Sequence, residues 1–146
     1  MAYPILLIVH LFAAIAFAGT VFFEIIMLEG VRRHVPREAM RVIEAAIGAR
    51  ARRIVPWIIL ALYGAGLGLA WQHRHALALS PAGSFGVLLW LKIALAASVF
   101  GHFVAAMVLQ RRGRLNGRNS HRIHVSVFCH VLLIVLLAKG MFYLHW

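Results

Sequence analysis

Two histidines inside long apolar stretches are the residues of this sequence best suited to chemistry. His102 lies in the stretch Phe85–Gln110 and His130 in the stretch His124–Tyr143, and a short basic loop joins the two stretches. They therefore run in opposite directions, and each histidine lies four residues from the middle of its stretch, on the side of the loop. At about 1.5 Å rise per residue, both imidazoles lie roughly 6 Å from the bilayer midplane. Two imidazoles at one depth are what a haem iron or another buried metal requires.

Four further ionisable side chains lie inside apolar stretches: His10, Glu24, Lys92 and Lys139. Each costs on the order of 3 kcal/mol in a membrane span, so each is a candidate functional residue. His10, Lys92 and Lys139 fall roughly 7–9 Å from the midplane on the side away from the histidine pair. Glu24 falls on the same side as the pair, closer to the surface.

The histidine pair has two interpretations. His102 and His130 can hold haem b as bis-imidazole ligands, or they can form hydrogen bonds with the backbone or with each other across the bundle. Ala97 and Gly101 precede His102 and leave room for a porphyrin beside it. Cys129 adjoins His130 but points about 100° away, so no third ligand is evident and haem is favoured over zinc.

The remaining buried groups also keep two interpretations each. His10 can ligate a second haem or be the sixth ligand of a single one, with His73 as a reserve ligand. Lys92 can pair with haem propionates or an anionic substrate, whereas Lys139 is expected to extend to the outer headgroups. Glu24 is either a proton-relay group or an interfacial residue.

Composition places the chain in lipid. It has 146 residues, 63% of them apolar, and 15 Lys and Arg against 4 Asp and Glu. Most of the cations lie in two loops, which is the positive-inside pattern of a membrane protein held against anionic lipid, and this pattern explains the charge without a nucleic-acid partner. The arginines of the two loops are Arg32, Arg33, Arg37, Arg41, Arg50, Arg52 and Arg53, then Arg111, Arg112, Arg114, Arg118 and Arg122.

Four apolar runs predict four transmembrane spans, at about 3–28, 54–72, 86–110 and 123–144. The single domain, 1–146, is predicted to be an all-α membrane protein, an antiparallel four-helix transmembrane bundle. The loop charge places both basic loops in the cytoplasm and both termini outside the cytoplasm. The expected location is a bacterial-type inner (plasma) membrane, which the chain crosses several times.

Two segments around the second span have a structural and a functional interpretation. The basic segment before the span carries an apolar stripe of Met40, Ile43 and Ile47, which predicts a helix in the headgroups or a cytoplasmic extension of the next span. Pro56 is expected in the first turn of that span. Gly64 and Gly68 then make a small-xxx-small spacing, which either packs a neighbouring helix or makes room for a macrocycle.

A set of short motifs follows a distinctive order along the chain. They are MAY followed by His10, FAG at Phe17–Gly19, VPWIILALYGAGLGL at Val55–Leu69, W-x-K at Trp90 and Lys92, Gly101-His102, and Lys139 near the end. Their order resembles that of the HemJ family, small four-helix membrane proteins associated with protoporphyrinogen IX oxidation. It is also similar to the membrane domain of CopD-type copper-resistance proteins. The resemblance covers nearly the whole chain.

The resemblance implies haem b as the cofactor, with His10 as an iron ligand and Lys92 as a second essential residue. The chain departs from the family pattern at FFEII after the FAG motif, at Cys129-His130 entering the last span, and at KGMF near its end. The second of these departures introduces the histidine that pairs with His102.

The sequence thus favours a haem b redox protein that exchanges electrons with a membrane-soluble partner, a quinone or a porphyrinogen. If it is an enzyme, it is a membrane oxidoreductase. One alternative is a two-haem electron carrier, with the pair His102 and His130 on one side and His10 with His73 on the other. Further alternatives are a CopD-like copper or metal transport or resistance component, and an assembly subunit whose histidines only pack. Small-residue faces permit a homodimer.

Overall fold

Nearly every residue that the structure describes is helical. The computed structural model describes residues 2–75, 84–114 and 117–143. Within them, four stretches are long and apolar enough to cross a membrane: Ala2–Arg32, Arg37–Gln72, Gly86–Arg111 and Asn119–Gly140. The expected all-α class with four membrane-spanning stretches is therefore confirmed, and these stretches indicate a multi-pass protein in contact with lipid. Residue 144, the expected end of the fourth span, lies outside the described residues.

The helices divide into two compact units, one ending at Gln72 and the other beginning at His73. Three consecutive segments form the first arm of the first unit: helix α1 (Ala2–Phe22), a π-helix (Phe23–Leu28) and the single turn α2 (Glu29–Arg32). After a short turn, α3 (Arg37–Gln72) forms the second arm.

The two arms of the first unit run in opposite directions. His10, early in α1, contacts Leu62, late in α3. Arg32, at the end of the first arm, pairs with Glu44 near the start of α3 and also with Glu29 one turn before it. These ion pairs are largely exposed, and such pairs contribute little to stability. Their value here is positional, because they show that the end of the first arm lies next to the start of α3.

Helix α3 is longer than a bilayer is thick. Its 36 residues span about 54 Å, against roughly 30 Å of hydrocarbon. Because the apolar run begins at Ile54, the arginine-rich part of α3 must continue beyond the hydrocarbon as the same helix. Of the two interpretations of this segment, the structure therefore favours the extension of the span. Of the apolar stripe of the extension, Met40 is only 3% exposed, and Ile43 and Ile47 are half-buried.

Pro56 lies inside α3, and the expectation that it occupies the first turn of a separate span is wrong. A proline in a helix interior leaves the carbonyl four residues earlier, here that of Arg52, without its N–H partner. Arg52 lies at the border between the arginine-rich and apolar parts of α3, where water or headgroups can serve that carbonyl. This position explains how the helix tolerates the proline.

The second unit is a hairpin of α4 (Ser84–Arg111) and α5 (Gly117–Tyr143). Val99 of α4 and Val127 of α5 are 2% and 6% exposed and lie where the two helices pack. Neither helix has an acidic residue in its sequence, so within the hairpin charge is carried only by cations and any protonated histidine.

The turn that follows helix α4 contains a glycine with left-handed backbone. Gly113 has a φ of 65° and donates its N–H to the carbonyl of Gln110 at 3.0 Å. Arg114 then donates to the carbonyl of Leu109 at 2.9 Å. This pair of bonds satisfies two of the last carbonyls of α4 and turns the chain away from the helix axis.

We expect the extension of α3 to be exposed to water and the rest of the helix to lipid. Ala46 and Leu60 are both exposed side chains of α3. A difference in their access to water would therefore come from lipid covering Leu60. In a Cys129→Ser background, a water-soluble maleimide added to opened membranes should label the Ala46→Cys variant and leave the Leu60→Cys variant unlabelled. Equal labelling of the two variants would contradict the assignment.

Candidate functional site

Two serine–histidine pairs form a part-buried polar cluster in the second unit. Each helix carries a serine four residues before its histidine: Ser98 before His102 on α4, and Ser126 before His130 on α5. His102 Nδ1 lies 2.7 Å from the Ser98 carbonyl oxygen, and His130 Nδ1 lies 2.7 Å from the Ser126 carbonyl oxygen. A carbonyl oxygen only accepts hydrogen bonds, so Nδ1 carries a proton on both rings, and in the neutral form of each ring Nε2 carries the lone pair.

The second nitrogen of each ring faces the serine of the other helix. Ser126 Oγ lies 3.0 Å from His102 Nε2, and Ser98 Oγ lies 3.1 Å from His130 Nε2. Because each Nε2 is an acceptor, each hydroxyl must donate. These four side chains, which we call the serine–histidine quartet, therefore join two antiparallel helices by two reciprocal bonds.

Both nitrogens of each ring in the quartet have a protein partner. The rings of His102 and His130 contact each other, with centroids 5.4 Å apart and planes inclined by 55°. This separation lies within the range of ordinary ring packing. The matched depth expected from the sequence thus brings the two imidazoles side by side. The bonds to the backbone carbonyls are those of the second interpretation, whereas the bonds across the helix pair go to serine hydroxyls and not to the other histidine.

His10 is held in the first unit by a similar bond to a different kind of partner. Its Nδ1 lies 2.9 Å from the carbonyl oxygen of Leu62 on α3, so Nδ1 again carries the proton. A Cβ at Gly66 would lie 3.2 Å from His10 Cε1 and 3.3 Å from its Nδ1. The imidazole therefore packs directly on the backbone of α3, and a side chain at position 66 would require the ring to shift by a few tenths of an ångström.

The expected pair of small residues, Gly64 and Gly68, does not act as a pair. A Cβ at Gly68 would lie 2.9 Å from Leu6 of α1, whereas one at Gly64 would meet nothing within 4 Å. The glycines that allow α1 to approach α3 are therefore Gly66 and Gly68. His10 lies beside Gly66 and Leu6 beside Gly68, whereas the space beside Gly64 is open within the first unit.

The other candidate residues do not belong to the quartet. Lys92 is half-buried on α4, ten residues before His102 and therefore about 15 Å away along the helix. Lys139 is exposed on α5, which agrees with a side chain that extends to the headgroups. Glu24 lies in the π-helix of the first unit, and His73 directly follows α3.

Sequence reasoning missed Ser98 and Ser126. The signal was present, because Ser-x-x-x-His occurs once in each stretch and places both residues on one helix face. Cys129 is exposed. Within residues 2–75, 84–114 and 117–143, no group of three or more His, Cys, Asp or Glu side chains is arranged to hold a metal ion.

Comparison with known proteins gives no relative for this chain: no family model, no curated protein and no solved structure matches it.

We expect alanine to be tolerated at Gly64 and to disturb the first hairpin at Gly66. Both substitutions gain helix propensity, but only the Gly66→Ala methyl group meets His10 and strains its bond to Leu62. Loss of that bond lowers stability by about 1 kcal/mol relative to Gly64→Ala. Apparent unfolding free energies in detergent measure the difference, and equal values would contradict the contact.

Proposed function

We propose that this protein is a membrane redox protein that binds haem b through histidine nitrogens. The observation that supports it best is the pairing of His102 and His130, whose Nε2 lone pairs face inward at one level of a membrane-length hairpin. In both rings Nδ1–H is bonded to a backbone carbonyl. Metal-ligating histidines use this arrangement, because the bond at one nitrogen fixes the ring and makes the other nitrogen more basic.

The imidazole nitrogens of His102 and His130 are suitable haem ligands. The two helices, however, are now close enough for the serine–histidine bonds of the quartet. His102 and His130 would hold the iron through Nε2, and each Nε2 is now bonded to a serine hydroxyl. Ligation by His102 and His130 requires both serine hydroxyls to turn aside and the packed rings, now 5.4 Å apart, to separate. His10, the ligand that the resemblance implies, has the same protonation at Nδ1.

Haem b supplies reversible one-electron chemistry when it is bound. The residues of this chain hold neutral imidazoles in apolar surroundings, which keeps water away from the iron ligands. Lys92 is the cation of α4 inside the apolar run and has no carboxylate within ion-pair distance among the described residues. We assign it to a carboxylate of a propionate or of an anionic substrate. A quinone or a porphyrinogen, dissolved in the same membrane, is the proposed electron partner.

The proposed topology follows the loop charge. Twelve arginines in the two long loops favour a cytoplasmic position for both loops, which places both termini on the opposite side. An even number of membrane-length stretches, four among the described residues, supports placing both termini on one side, and a bacterial-type plasma membrane is the proposed location. Anionic headgroups then balance the arginines at the cytoplasmic face.

The quartet also supports a second candidate function. Every ring nitrogen of the quartet has a partner within the hairpin, so packing α4 against α5 is a sufficient role for the four residues. Interhelical hydrogen bonds in membranes contribute on average about 0.6 kcal/mol each. A protein with this role would be an assembly subunit, and it would purify without colour from cells supplied with haem.

The absorption spectrum of the purified protein tests the two candidates. We expect a sharp Soret band, with split α and β bands on reduction by dithionite. The haem content per chain is measured on the same sample. His102→Ala and His130→Ala should each abolish the low-spin spectrum, because either substitution removes one axial ligand. His121→Ala, an exposed histidine at the start of α5, is the matched control and should leave the spectrum unchanged.

Two results would change the assignment. If both alanine variants kept the spectrum while His10→Ala lost it, the ligand would be His10 and the quartet would only pack the helices. A colourless parent protein would exclude the haem function and leave the packing role.

A further inference from the structure

Each serine hydroxyl of the quartet occupies the nitrogen that a metal ligand would use. Ser98 Oγ donates to His130 Nε2 at 3.1 Å, and Ser126 Oγ donates to His102 Nε2 at 3.0 Å. We propose that Ser98 and Ser126 are positioning residues that cap these two nitrogens and hold the haem-free hairpin closed. The inference rests on the proposed haem function and names what regulates the occupancy of that site.

The caps compete with iron because each Nε2 has a single lone pair. A lone pair bonded to a hydroxyl proton is not available for a metal, so the hairpin with both caps in place is the form that does not bind. Whatever stabilises that form weakens the observed affinity by the same factor, since binding must first open it. The serines therefore set how tightly haem binds without touching it.

Lipid makes the competition stronger than it would be in water. In water, a nitrogen that loses its hydroxyl partner is solvated at once. In the apolar interior of a span no water replaces it, so the nitrogen is left without a partner until a ligand arrives. Removing a cap thus destabilises the haem-free hairpin and leaves the haem-bound form unchanged.

The geometry allows the caps to be removed cleanly. Each serine uses its backbone carbonyl to hold Nδ1 of its own helix's histidine, and its hydroxyl to cap Nε2 of the other histidine. Alanine deletes the hydroxyl and keeps the carbonyl. The protonation at Nδ1 and the orientation of both rings are therefore retained in Ser98→Ala and Ser126→Ala.

Titration of haemin into the haem-free, detergent-purified protein tests the inference. We expect the Kd measured from the Soret band to fall about 3- to 10-fold for each of Ser98→Ala and Ser126→Ala. The thermal stability of the same haem-free variants should fall, because an interhelical bond is lost. Ser98→Thr and Ser126→Thr keep a hydroxyl and should restore both values toward those of the parent. Ser120→Ala, on α5 and outside the quartet, is the control and should change neither.

The combination of tighter binding and lower haem-free stability is the supporting result. If the alanine variants lost stability and also bound haemin more weakly, the serines would only pack the helices and the inference would be overturned. Unchanged affinity would overturn it as well, and in both of these cases the parent still binds haemin and the proposed function stands. If neither the parent nor any variant bound haemin, the proposed function would fail and the inference with it.

Discussion

A polar nitrogen between two membrane-length helices has no water to bond, and the arrangement of both units depends on that constraint. His102 and His130 meet it with four hydrogen bonds inside one hairpin. His10 meets it at Nδ1 with a carbonyl of the neighbouring helix, Leu62. Because these bonds need close backbones, the helices pack tightly there, with Val99 and Val127 almost fully covered beside the quartet.

Counting residues along the apolar stretches predicted four membrane-length stretches and a common depth for His102 and His130, because depth along a straight helix follows from residue number and rise. Counting could not predict which atoms would meet. That Ser98 and Ser126 cap the rings depends on the rotation of each helix about its axis, which a common depth does not fix. The face shared by a serine and a histidine four residues later was readable from the sequence, but the pairing across helices was not.

The first unit shows a second limit of sequence reasoning. Gly64, Gly66 and Gly68 are alike in the sequence, and the familiar four-residue spacing pointed to the first and last of them. In the structure, Gly66 and Gly68 face α1. Pro56 misled in a similar way, since local preference places a proline at a helix start. The packing of α3 along its partner outweighs the one hydrogen bond that the proline removes.

The partners of Nδ1 distinguish the two kinds of histidine. His10 bonds a carbonyl on another helix, so its orientation depends on how α1 and α3 pack. His102 and His130 bond the carbonyl four residues earlier on their own helix, so their rings are oriented before the helices meet. Separation of α4 from α5 would therefore break the two serine caps and the apolar contacts while both rings keep their protonation and direction. A hairpin built this way can open without losing the geometry of its donor nitrogens, which is the property that a ligand entering between two helices requires.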